Sequence, residues 1–230
     1  FLRGIKNLFI IMYIGIKTLN YSSNMQLEKS EKQGNKEIII SIIFALIFAI
    51  AIFKFLPLLF STLIDKNYGV NNITFNLLDG IIKIGMFTGY IYLISLSKDV
   101  YRVFQYHGAE HKAVACYENK KKLIVREAQK FTTVHKRCGT TFVFLVLFMS
   151  IIVYLFIPKE WNMTMKLGAR IILLPIIASI SYEVLRLGAK YNFLNIIIWP
   201  GLLIQKLTTK EPDDKQVEVA LKALKAAVNQ

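Results

Sequence analysis

The chain has 230 residues, of which 54% are hydrophobic, and it carries a formal net charge of +14. Its mean hydropathy of +0.45 is high for a soluble domain of this size, so the composition favours an integral membrane protein. On a membrane protein such positive charge commonly reflects insertion topology and attraction to anionic lipid, and no nucleic-acid-binding motif accompanies it. We therefore expect the lipid bilayer as a partner, and we expect no nucleic acid.

The amino-terminal region, residues 1–37, is expected to lie at the membrane surface and in the cytoplasm. Residues 1–18 are apolar but begin with Arg3 and Lys6, which favours an interfacial or re-entrant helix followed by a polar connector. No small-residue cleavage site follows the apolar run, so we do not interpret it as a removable signal peptide. Because the chain begins at Phe1 rather than at methionine, we expect a fragment or a processed product.

Four segments are apolar over the roughly 20 residues that a helix needs to cross a hydrocarbon core about 30 Å thick. Pro57 is expected to kink the first segment, and Lys54 near it either snorkels to the surface or faces the bundle interior. Asp79 and Lys83, four residues apart in the second, are expected to pair, because an unpaired lysine at mid-membrane costs about 2.5–3.5 kcal/mol. We therefore predict an all-α, polytopic membrane protein with about four transmembrane helices, at residues 38–64, 75–96, 139–157 and 167–184.

Lysine and arginine are concentrated before the first predicted span, between the second and third spans, and after the fourth. The two other loops and their margins carry only Lys66, Lys159, Lys166 and Arg170. Because loops rich in lysine and arginine remain in the cytoplasm, we predict a multi-pass protein of the cell membrane. Both termini and the loop between the second and third spans are expected to be cytoplasmic.

The same features divide the chain into five regions. An interfacial helix and a connector occupy residues 1–37, and the first two spans occupy residues 38–96. A cytoplasmic region that contains histidine and cysteine follows at 97–138, and the last two spans occupy 139–184. Interfacial and amphipathic helices complete the chain at 185–230.

The carboxy-terminal region is expected to contain two helices. Residues 193–207 are too short to span the bilayer and are interrupted by a Trp-Pro-Gly sequence at Pro200, so we predict an interfacial helix there. The Pro-Asp-Asp sequence that ends at Asp214 is expected to cap a closing amphipathic helix. The apolar stripe of this helix predicts docking on the cytoplasmic side of the bundle or on the bilayer surface, and it consists of Val217, Leu221, Leu224 and Val228.

Two of the three histidines, His107 and His111, lie four residues apart in residues 97–118, through which we expect the helix of the second span to continue into the cytoplasm. At about 100° per residue, this spacing places both imidazoles on one face, where they can bind one metal ion. Glu110 lies within the same arc, and the order His-x-x-Glu-His is the inverted zincin pattern. The sequence therefore predicts a site for a divalent metal, Zn²⁺ above others, with Glu110 as the base that acts on metal-bound water.

An open, catalytic ligand set would combine the two histidines with a carboxylate and leave one position for water. Glu183 is the preferred third ligand, because inverted zincins take one from a downstream helix. Glu118 is the second choice, because it lies about two turns after the second histidine on the same stripe. Two of these carboxylates also have a simpler interpretation. Glu183 can form a salt bridge with Arg186, and Glu110 can be solvated or paired with Lys112 or Arg102.

Two further ligand sets draw on His135 and Cys138, which fall in the same short region. A closed, structural site would use His107, His111, His135 and Cys138 and leave no room for a substrate. A metal-free alternative makes His135 and Cys138 a redox or nucleophilic pair, although no orienting partner is evident for it. Cys116 and Cys138 are expected to be cytoplasmic and reduced, which favours a metal or packing role over a disulfide.

Four stretches of the chain resemble the YqhQ-like family of bacterial integral membrane proteins, at residues 19–22, 106–112, 135–140 and 207–214. The likeness extends over essentially the whole chain, and the His-Gly-Ala-Glu-His and Arg-Cys-Gly-Thr sequences are specific to it. Family members are of unknown function and are described as predicted metal-dependent enzymes. The resemblance therefore implies a metal-dependent enzyme of the bacterial inner membrane but identifies no substrate. The chain departs from the family at Lys136, where proline is usual, and it lacks the upstream glycine-rich segment that ends in methionines.

Two functions from different classes follow from these features. The first is a membrane-embedded metal-dependent hydrolase whose site at the cytoplasmic face acts on a membrane-associated peptide, protein or lipid. The second is a non-enzymatic membrane scaffold or assembly factor, in which a structural metal site orders the cytoplasmic loop and the basic face docks a membrane protein or a cytoplasmic protein. A transporter is less well supported, because the predicted spans carry few charged residues.

Overall fold

The computed structural model describes residues 2–26, 35–191, 193 and 195–228, and the elements within these residues are all helical. The predicted all-α fold class is therefore confirmed for the described part of the chain. The helices are α1 (Leu2–Gln26), α2 (Asn35–Ile50), a π-helix (Ala51–Phe55), α3 (Leu56–Tyr68), α4 (Asn72–Ser95), α5 (Lys98–Glu118), α6 (Val125–Ala128), α7 (Gly139–Tyr154), α8 (Met163–Ile172), α9 (Leu174–Lys190), α10 (Asn195–Thr208) and α11 (Asp214–Val228).

The amino-terminal helix is longer than the sequence predicts. Its apolar part was expected to end at residue 18, but α1 continues through Gln26 into the segment assigned to the connector. The rest of that connector, at residues 27–34, lies outside the described residues.

The first predicted span is one long apolar helix, which runs from Ile39 to Tyr68 through α2, the π-helix and α3. Pro57 was expected to kink this helix, and in the structure a π-helical turn, Ala51–Phe55, lies just before the proline. A proline ring clashes with the carbonyl four residues earlier, and a wider turn accommodates the ring without ending the helix. The helix ends at Gly69, whose φ of 60° is the left-handed conformation that glycine adopts without strain.

The second predicted span corresponds to α4, which covers Asn72–Ser95 and is long and apolar enough to cross a bilayer. The expectation that this helix continues unbroken to Glu118 is wrong, because a turn at residues 96–97 separates α4 from α5. Ser97 has an extended backbone as the N-cap of α5, and Asp99 lies in the first turn. Both features are typical of a helix start, so α5 begins as a separate helix at Lys98.

The last two predicted spans differ from the first two. Helix α7 has 16 residues and is apolar but short, and the segment predicted at 167–184 is divided between α8 and α9, which are bent by 41° around Leu173. Pro175 explains the break, since proline lacks an amide donor and disfavours helical geometry in the residue before it. The described residues thus contain two helices that can span a membrane, or three if the bent pair counts as one.

One compact unit of the chain comprises Phe1–Ile84 and Val146–Glu183. Its hydrophobic core is centred on Tyr154, Ile157 and Ile177. The predicted ion pair is confirmed here, since Lys83 Nζ lies 3.0 Å from a carboxylate oxygen of Asp79. Of the two alternatives for Lys54, the structure has the interior one, because the side chain is buried.

A second compact unit comprises Gly85–Leu145 and Val184–Gln230. In its core, α11 packs on α5 and α6 through three residues of the predicted stripe, with Val217 and Leu221 buried and Leu224 partly buried, whereas Val228 is exposed. The expected cap of α11 is also present. The Asp213 carboxylate accepts from the amide of Gln216 at 2.8 Å, and the Gln216 side-chain oxygen accepts from the amide of Asp213 at 2.9 Å.

Helix α10 also belongs to the second unit, and it is continuous where the sequence predicts an interruption. Pro200 lies inside the helix, and Gly201 follows it at a point of close approach to α7. A Cβ atom at Gly201 would lie only 3.0 Å from a side-chain carbon of Thr141. The glycine therefore permits close helix packing instead of ending the helix.

Candidate metal centre

Helix α5 presents His107 and His111 on one face, as their spacing predicts. The two ring centroids are 4.5 Å apart in an edge-to-face arrangement. His111 is 8% exposed, and Ala109 and Ala113 on the opposite side of the helix are buried in the core against α11. Packing of α11 thus fixes the rotation of α5 about its axis and determines the direction in which both imidazoles project.

Both rings are oriented through their Nδ1 atoms by backbone carbonyls. His107 Nδ1 lies 2.9 Å from the carbonyl oxygen of Thr208, and His111 Nδ1 lies 2.6 Å from that of Thr133. A carbonyl can only accept, so each Nδ1 carries the proton and donates. In a neutral ring this tautomer leaves the lone pair on Nε2, which is the state that a histidine ligand of a metal requires.

Cys138 completes a group of three candidate ligands with the two histidines. Its thiol sulfur lies 3.3 Å from His107 Nε2, and the ligand atoms of His107, His111 and Cys138 all lie within 4.8 Å of one another. The side chain is buried immediately before the first residue of α7, where the amide of Thr140 donates to Sγ at 3.4 Å. Helix amino termini stabilise negative charge, which favours the thiolate.

The electrostatics of the site favour a charged Cys138. Burial alone would raise the pKa of this thiol, but hydrogen bonds from His107, His111 and Thr140 outweigh burial and lower the pKa to about 5. Burial alone would lower the pKa of His107, but its hydrogen bond to Cys138 and the charges of Cys138 and Glu110 give a net rise. The pair therefore favours a thiolate beside an imidazolium, and a metal cation is the alternative positive partner for the thiolate.

The chemistry of the donors fits zinc. Two imidazole nitrogens and one thiolate are ligands that Zn²⁺ prefers, whereas Mg²⁺ and Ca²⁺ require oxygen donors. Three protein donors are also the usual number in catalytic zinc sites, where a fourth position is left for water or substrate. The donor set thus fits a divalent transition metal held by His107, His111 and Cys138.

Gly108 allows the segment after α10 to pass close to α5 beside the site. A Cβ atom at Gly108 would lie 2.2 Å from the carbonyl oxygen of Lys210, which is closer than any real contact. In this segment the amide of Lys210 donates to the carbonyl of Phe104 at 2.9 Å, and Thr208 provides the acceptor for His107. A side chain at position 108 would therefore push back Lys210 and with it the segment that carries the Thr208 carbonyl.

His135 lies beside this group but has other partners. Its ring centroid is 5.7 Å from that of His111, its Nε2 lies 3.2 Å from a carboxylate oxygen of Glu118, and its Nδ1 accepts from the amide of Arg137. Glu118 in turn binds the guanidinium of Arg137 at 2.5 Å. His135 therefore pairs with Glu118, and neither residue belongs to the group formed by His107, His111 and Cys138.

The predicted roles of Glu110 as the base and of Glu183 as a metal ligand remain predictions. Glu110 is exposed on α5 and acts electrostatically on His107, but it lies outside the three-residue group. Glu183 is on α9 in the first compact unit, whereas the three grouped residues belong to the second. Glu110 was also considered as an ion-pair partner of Lys112 or Arg102. In the structure Lys112 binds Glu211 instead, at 3.0 Å.

Several residues that hold the site together were not predicted. The carbonyls of Thr133 and Thr208 have no sequence signature, because any residue supplies a carbonyl. Gln205 is fully buried, and its side-chain amide accepts from the amide of His135 at 2.7 Å and donates to the carbonyl of His135 at 3.1 Å. A glutamine inside the apolar sequence of α10 was the one available signal for this support.

The chain is thus an all-helical protein with candidate membrane-spanning helices and a histidine and cysteine group suited to a metal. It belongs to the family described as "Protein of unknown function (DUF1385)", whose family model matches residues 1–230. It is also similar to "Uncharacterized protein YqhQ" of Bacillus subtilis (strain 168), with 32% identity over 240 residues that cover 97% of this chain and 75% of the relative. No solved structure matches the chain. These findings confirm the resemblance to the YqhQ-like family.

Proposed function

We propose that the chain is a multi-pass protein of the bacterial cell membrane that acts as a metal-dependent hydrolase at the cytoplasmic face. His107, His111 and Cys138 bind the metal, which we propose to be Zn²⁺, and the substrate is a membrane-associated peptide, protein or lipid. The membrane assignment is supported by the apolar helices Ile39–Tyr68 and Asn72–Ser95 and by the distribution of lysine and arginine.

The observation that carries the proposal is the orientation of the two histidine rings. Each Nδ1 donates to a backbone carbonyl, so Nε2 is the nitrogen that each ring would present to a cation, in exchange for the proton shared with Cys138 Sγ in the same close group. Carbonyl partners of this kind are the usual outer contacts of histidine ligands and set both tautomer and ring angle. A purely structural pair of histidines would need no such matched arrangement beside a thiolate.

The location of the group suits a substrate at the membrane surface. Helix α5 starts three residues after α4 ends at Ser95, and Cys138 immediately precedes the apolar helix α7. In this topology both connections to the site leave the inner surface of the bilayer, so scissile bonds near that surface are within reach.

Glu110 is the proposed general base. A divalent metal at this site would supply a Lewis acid that makes water acidic near neutral pH. The Glu110 carboxylate lies on the same helical turn as His107 and acts electrostatically on its ring, which supports its role as the group that would take a proton from water and release it to solvent. The carbonyls of Thr133 and Thr208 hold the imidazoles in place while the proton moves.

Elemental analysis of purified variants tests the ligand set. We expect about one equivalent of metal in the native protein, and loss of that metal in His107→Ala and in Cys138→Ala, because each variant removes a direct ligand. His135→Ala should keep the metal, because Glu118 and the Arg137 amide already bind both ring nitrogens of His135.

Cys116→Ala is the matched cysteine control, since Cys116 is buried in the core between α5 and α11. Loss of metal from His135→Ala as well as from His107→Ala would favour the closed structural site. A native protein without metal, in which Cys138 nevertheless reacts with a substrate analogue, would favour the metal-free thiolate pair.

The second candidate function is the non-enzymatic scaffold with a structural metal. It is favoured by the number of segments that meet at the site, since the candidate ligands and their carbonyl partners bring together α5, residues 133–138 and the end of α10. A metal there would order the loop, and the basic surface would dock a membrane or cytoplasmic protein.

The Glu110→Gln variant separates the two functions, because it preserves the size of the side chain and removes the base. For the hydrolase we expect full metal content and a loss of turnover of about 10²–10⁴-fold, the usual contribution of a general base. Lys112→Gln, which removes a charge that pairs with Glu211, is the control. Turnover that is unchanged in Glu110→Gln would exclude Glu110 as the base.

A further inference from the structure

A cluster of buried charged side chains lies in the first compact unit and shares no residue with the candidate metal centre. It consists of Lys54, Lys83 and Arg170, which lie over the phenol ring of Tyr154, and of Asp79, which binds the last two, and we call it the Tyr154 charge cluster. Asp79 and Arg170 are fully buried, Lys83 is 1% exposed and Lys54 is 8% exposed. Ionisable side chains inside predicted membrane helices are rare and usually mark a functional site.

The carboxylate of Asp79 is fully engaged by two of the three cations. Its Oδ1 lies 2.6 Å from Arg170 Nη1, and its Oδ2 lies 3.0 Å from Lys83 Nζ. The other terminal nitrogen of Arg170 donates to the side-chain oxygen of Asn76 at 3.0 Å. One negative charge is thus shared between two positive charges, and both of its oxygens are used.

Lys54 has no comparable partner. Its Nζ donates to the hydroxyl of Tyr154 at 3.1 Å, and that hydroxyl donates in turn to the backbone carbonyl of Arg170 at 3.0 Å. Among the described residues, Lys54 makes no salt bridge, and the Nε–H of Arg170 is buried without a hydrogen-bond acceptor. Two cationic groups of the cluster therefore retain unused donors in a site shielded from water.

The position of the cluster makes an uncompensated charge especially unfavourable. Lys54 lies near the middle of the long helix Ile39–Tyr68, and Lys83 near the middle of Asn72–Ser95. The attraction of a cation for the face of an aromatic ring compensates only part of the lost hydration, and three cations share the single ring of Tyr154. The described residues of the cluster thus provide one negative charge for three positive ones.

We propose that the Tyr154 charge cluster binds a small monovalent anion, of the size of chloride, with Lys54 Nζ and Arg170 Nε as donors. An anion there would provide the counter-charge for Lys54 and the acceptor that the Nε–H of Arg170 lacks. The π-helical turn Ala51–Phe55 contains Lys54 and gives its backbone a local geometry that an unbroken α-helix would not have. This site requires no metal and does not depend on the proposed hydrolase.

The test measures chloride binding to the full chain purified in detergent. Chloride is exchanged for gluconate at constant ionic strength, and the unfolding temperature is recorded as sodium chloride replaces sodium gluconate. We expect a saturable rise for the native protein, since a ligand that binds only the folded state stabilises it. We expect Lys54→Met to lower the apparent chloride affinity by at least about tenfold, because it removes one direct charged donor.

Lys66→Met is the matched control, because Lys66 is exposed at the end of the same long helix. Its chloride response should equal that of the native protein, and an equal response in Lys54→Met would contradict the proposal. If Lys54→Met does not fold, calorimetric titration of the native protein with sodium bromide decides the question. A saturable heat of bromide binding supports the site. If no heat is detected although gluconate is the only other anion present, the proposal is wrong.

Discussion

The hydrogen bonds of individual residues determine what the candidate metal centre can do. His107 and His111 each use Nδ1 to donate to a carbonyl, so neither ring must change tautomer before it binds a metal. Cys138 gains its negative charge from the same surroundings, because both histidines and Thr140 donate to its sulfur. Two side chains one helical turn apart on α5 and a third just before α7 are thus oriented for the cation that we propose.

The pKa of the Cys138 thiol can be tested directly in the metal-free protein. Hydrogen bonds lower the pKa of this thiol from 9.0 to about 5, so in metal-free protein the thiolate should persist as the pH falls from 9.0 to about 5. The ultraviolet absorbance of the thiolate, followed in a pH titration, measures this range. Cys138→Ser should remove the absorbance at neutral pH.

Cys116→Ser is the control for that titration. Burial raises the pKa of Cys116, so its thiol is protonated at neutral pH and contributes no thiolate absorbance there. The variant should therefore leave the titration unchanged below pH 9.0. Thiolate absorbance that appears only near pH 9.0 in native protein would contradict the proposed interaction between Cys138 and His107.

At the scale of elements, the contact of α5 with the segment after α10 governs the orientation of His107. We expect Gly108→Ala to destabilise the protein by about 1–3 kcal/mol, because the new methyl group would collide with the carbonyl of Lys210. We also expect metal affinity to fall by about 10–100-fold, because the Thr208 carbonyl that orients His107 would be displaced. Thermal unfolding and a metal titration against a chromophoric chelator measure the two effects.

Gly89→Ala is the matched control, because beyond the neighbouring backbone of α4 itself no atom lies within 4 Å of the Cβ position at Gly89. Alanine favours a helix over glycine by up to about 1 kcal/mol, so this variant should be neutral or slightly more stable and should keep its metal affinity. Equal metal affinity in Gly108→Ala and Gly89→Ala would show that the position of the Thr208 carbonyl does not matter for binding.

Local patterns predicted the elements well where the relevant interactions are close in sequence. The spacing of His107 and His111 determines their shared face, and the apolar stripe through Val217 and Leu221 determines the docking face of α11. The turn before Lys98 was missed although Ser97 and Asp99 form a recognisable helix start, because the apolar pattern on both sides of it appeared continuous.

Tertiary contacts account for what the sequence could not predict. Cys138 was a candidate in only one metal-binding set, and its place beside His107 depends on the path of residues 119–137 back to α5. Pro200 was expected to interrupt a helix, but α10 is continuous there, and Gly201 packs closely against Thr141 of α7. In both cases the decisive contact joins residues far apart in sequence, where propensity and periodicity carry no information.

At the scale of the whole molecule, the number of membrane crossings depends on α7. Its 16 residues extend about 24 Å at 1.5 Å per residue, which is less than a hydrocarbon core of about 30 Å. A helix this short can still cross if the bilayer thins locally, at a cost of a fraction of a kcal/mol per Å of mismatch. Crossing by α7 would place the loop between α7 and α8 outside the cell, in agreement with its low content of lysine and arginine.

Labelling of single introduced cysteines in intact cells tests this topology. The two native cysteines are 0% and 6% exposed, so the native chain serves as the unlabelled background for a membrane-impermeant maleimide. We expect Asn67→Cys and Glu160→Cys to react in intact cells, because both exposed positions lie in the predicted outer loops. Lys225→Cys, which is exposed on α11, should react only after the membrane is permeabilised. Reaction of Asn67→Cys without reaction of Glu160→Cys would mean that α7 does not cross, and it would leave Cys138 and Glu160 on the same side of the membrane.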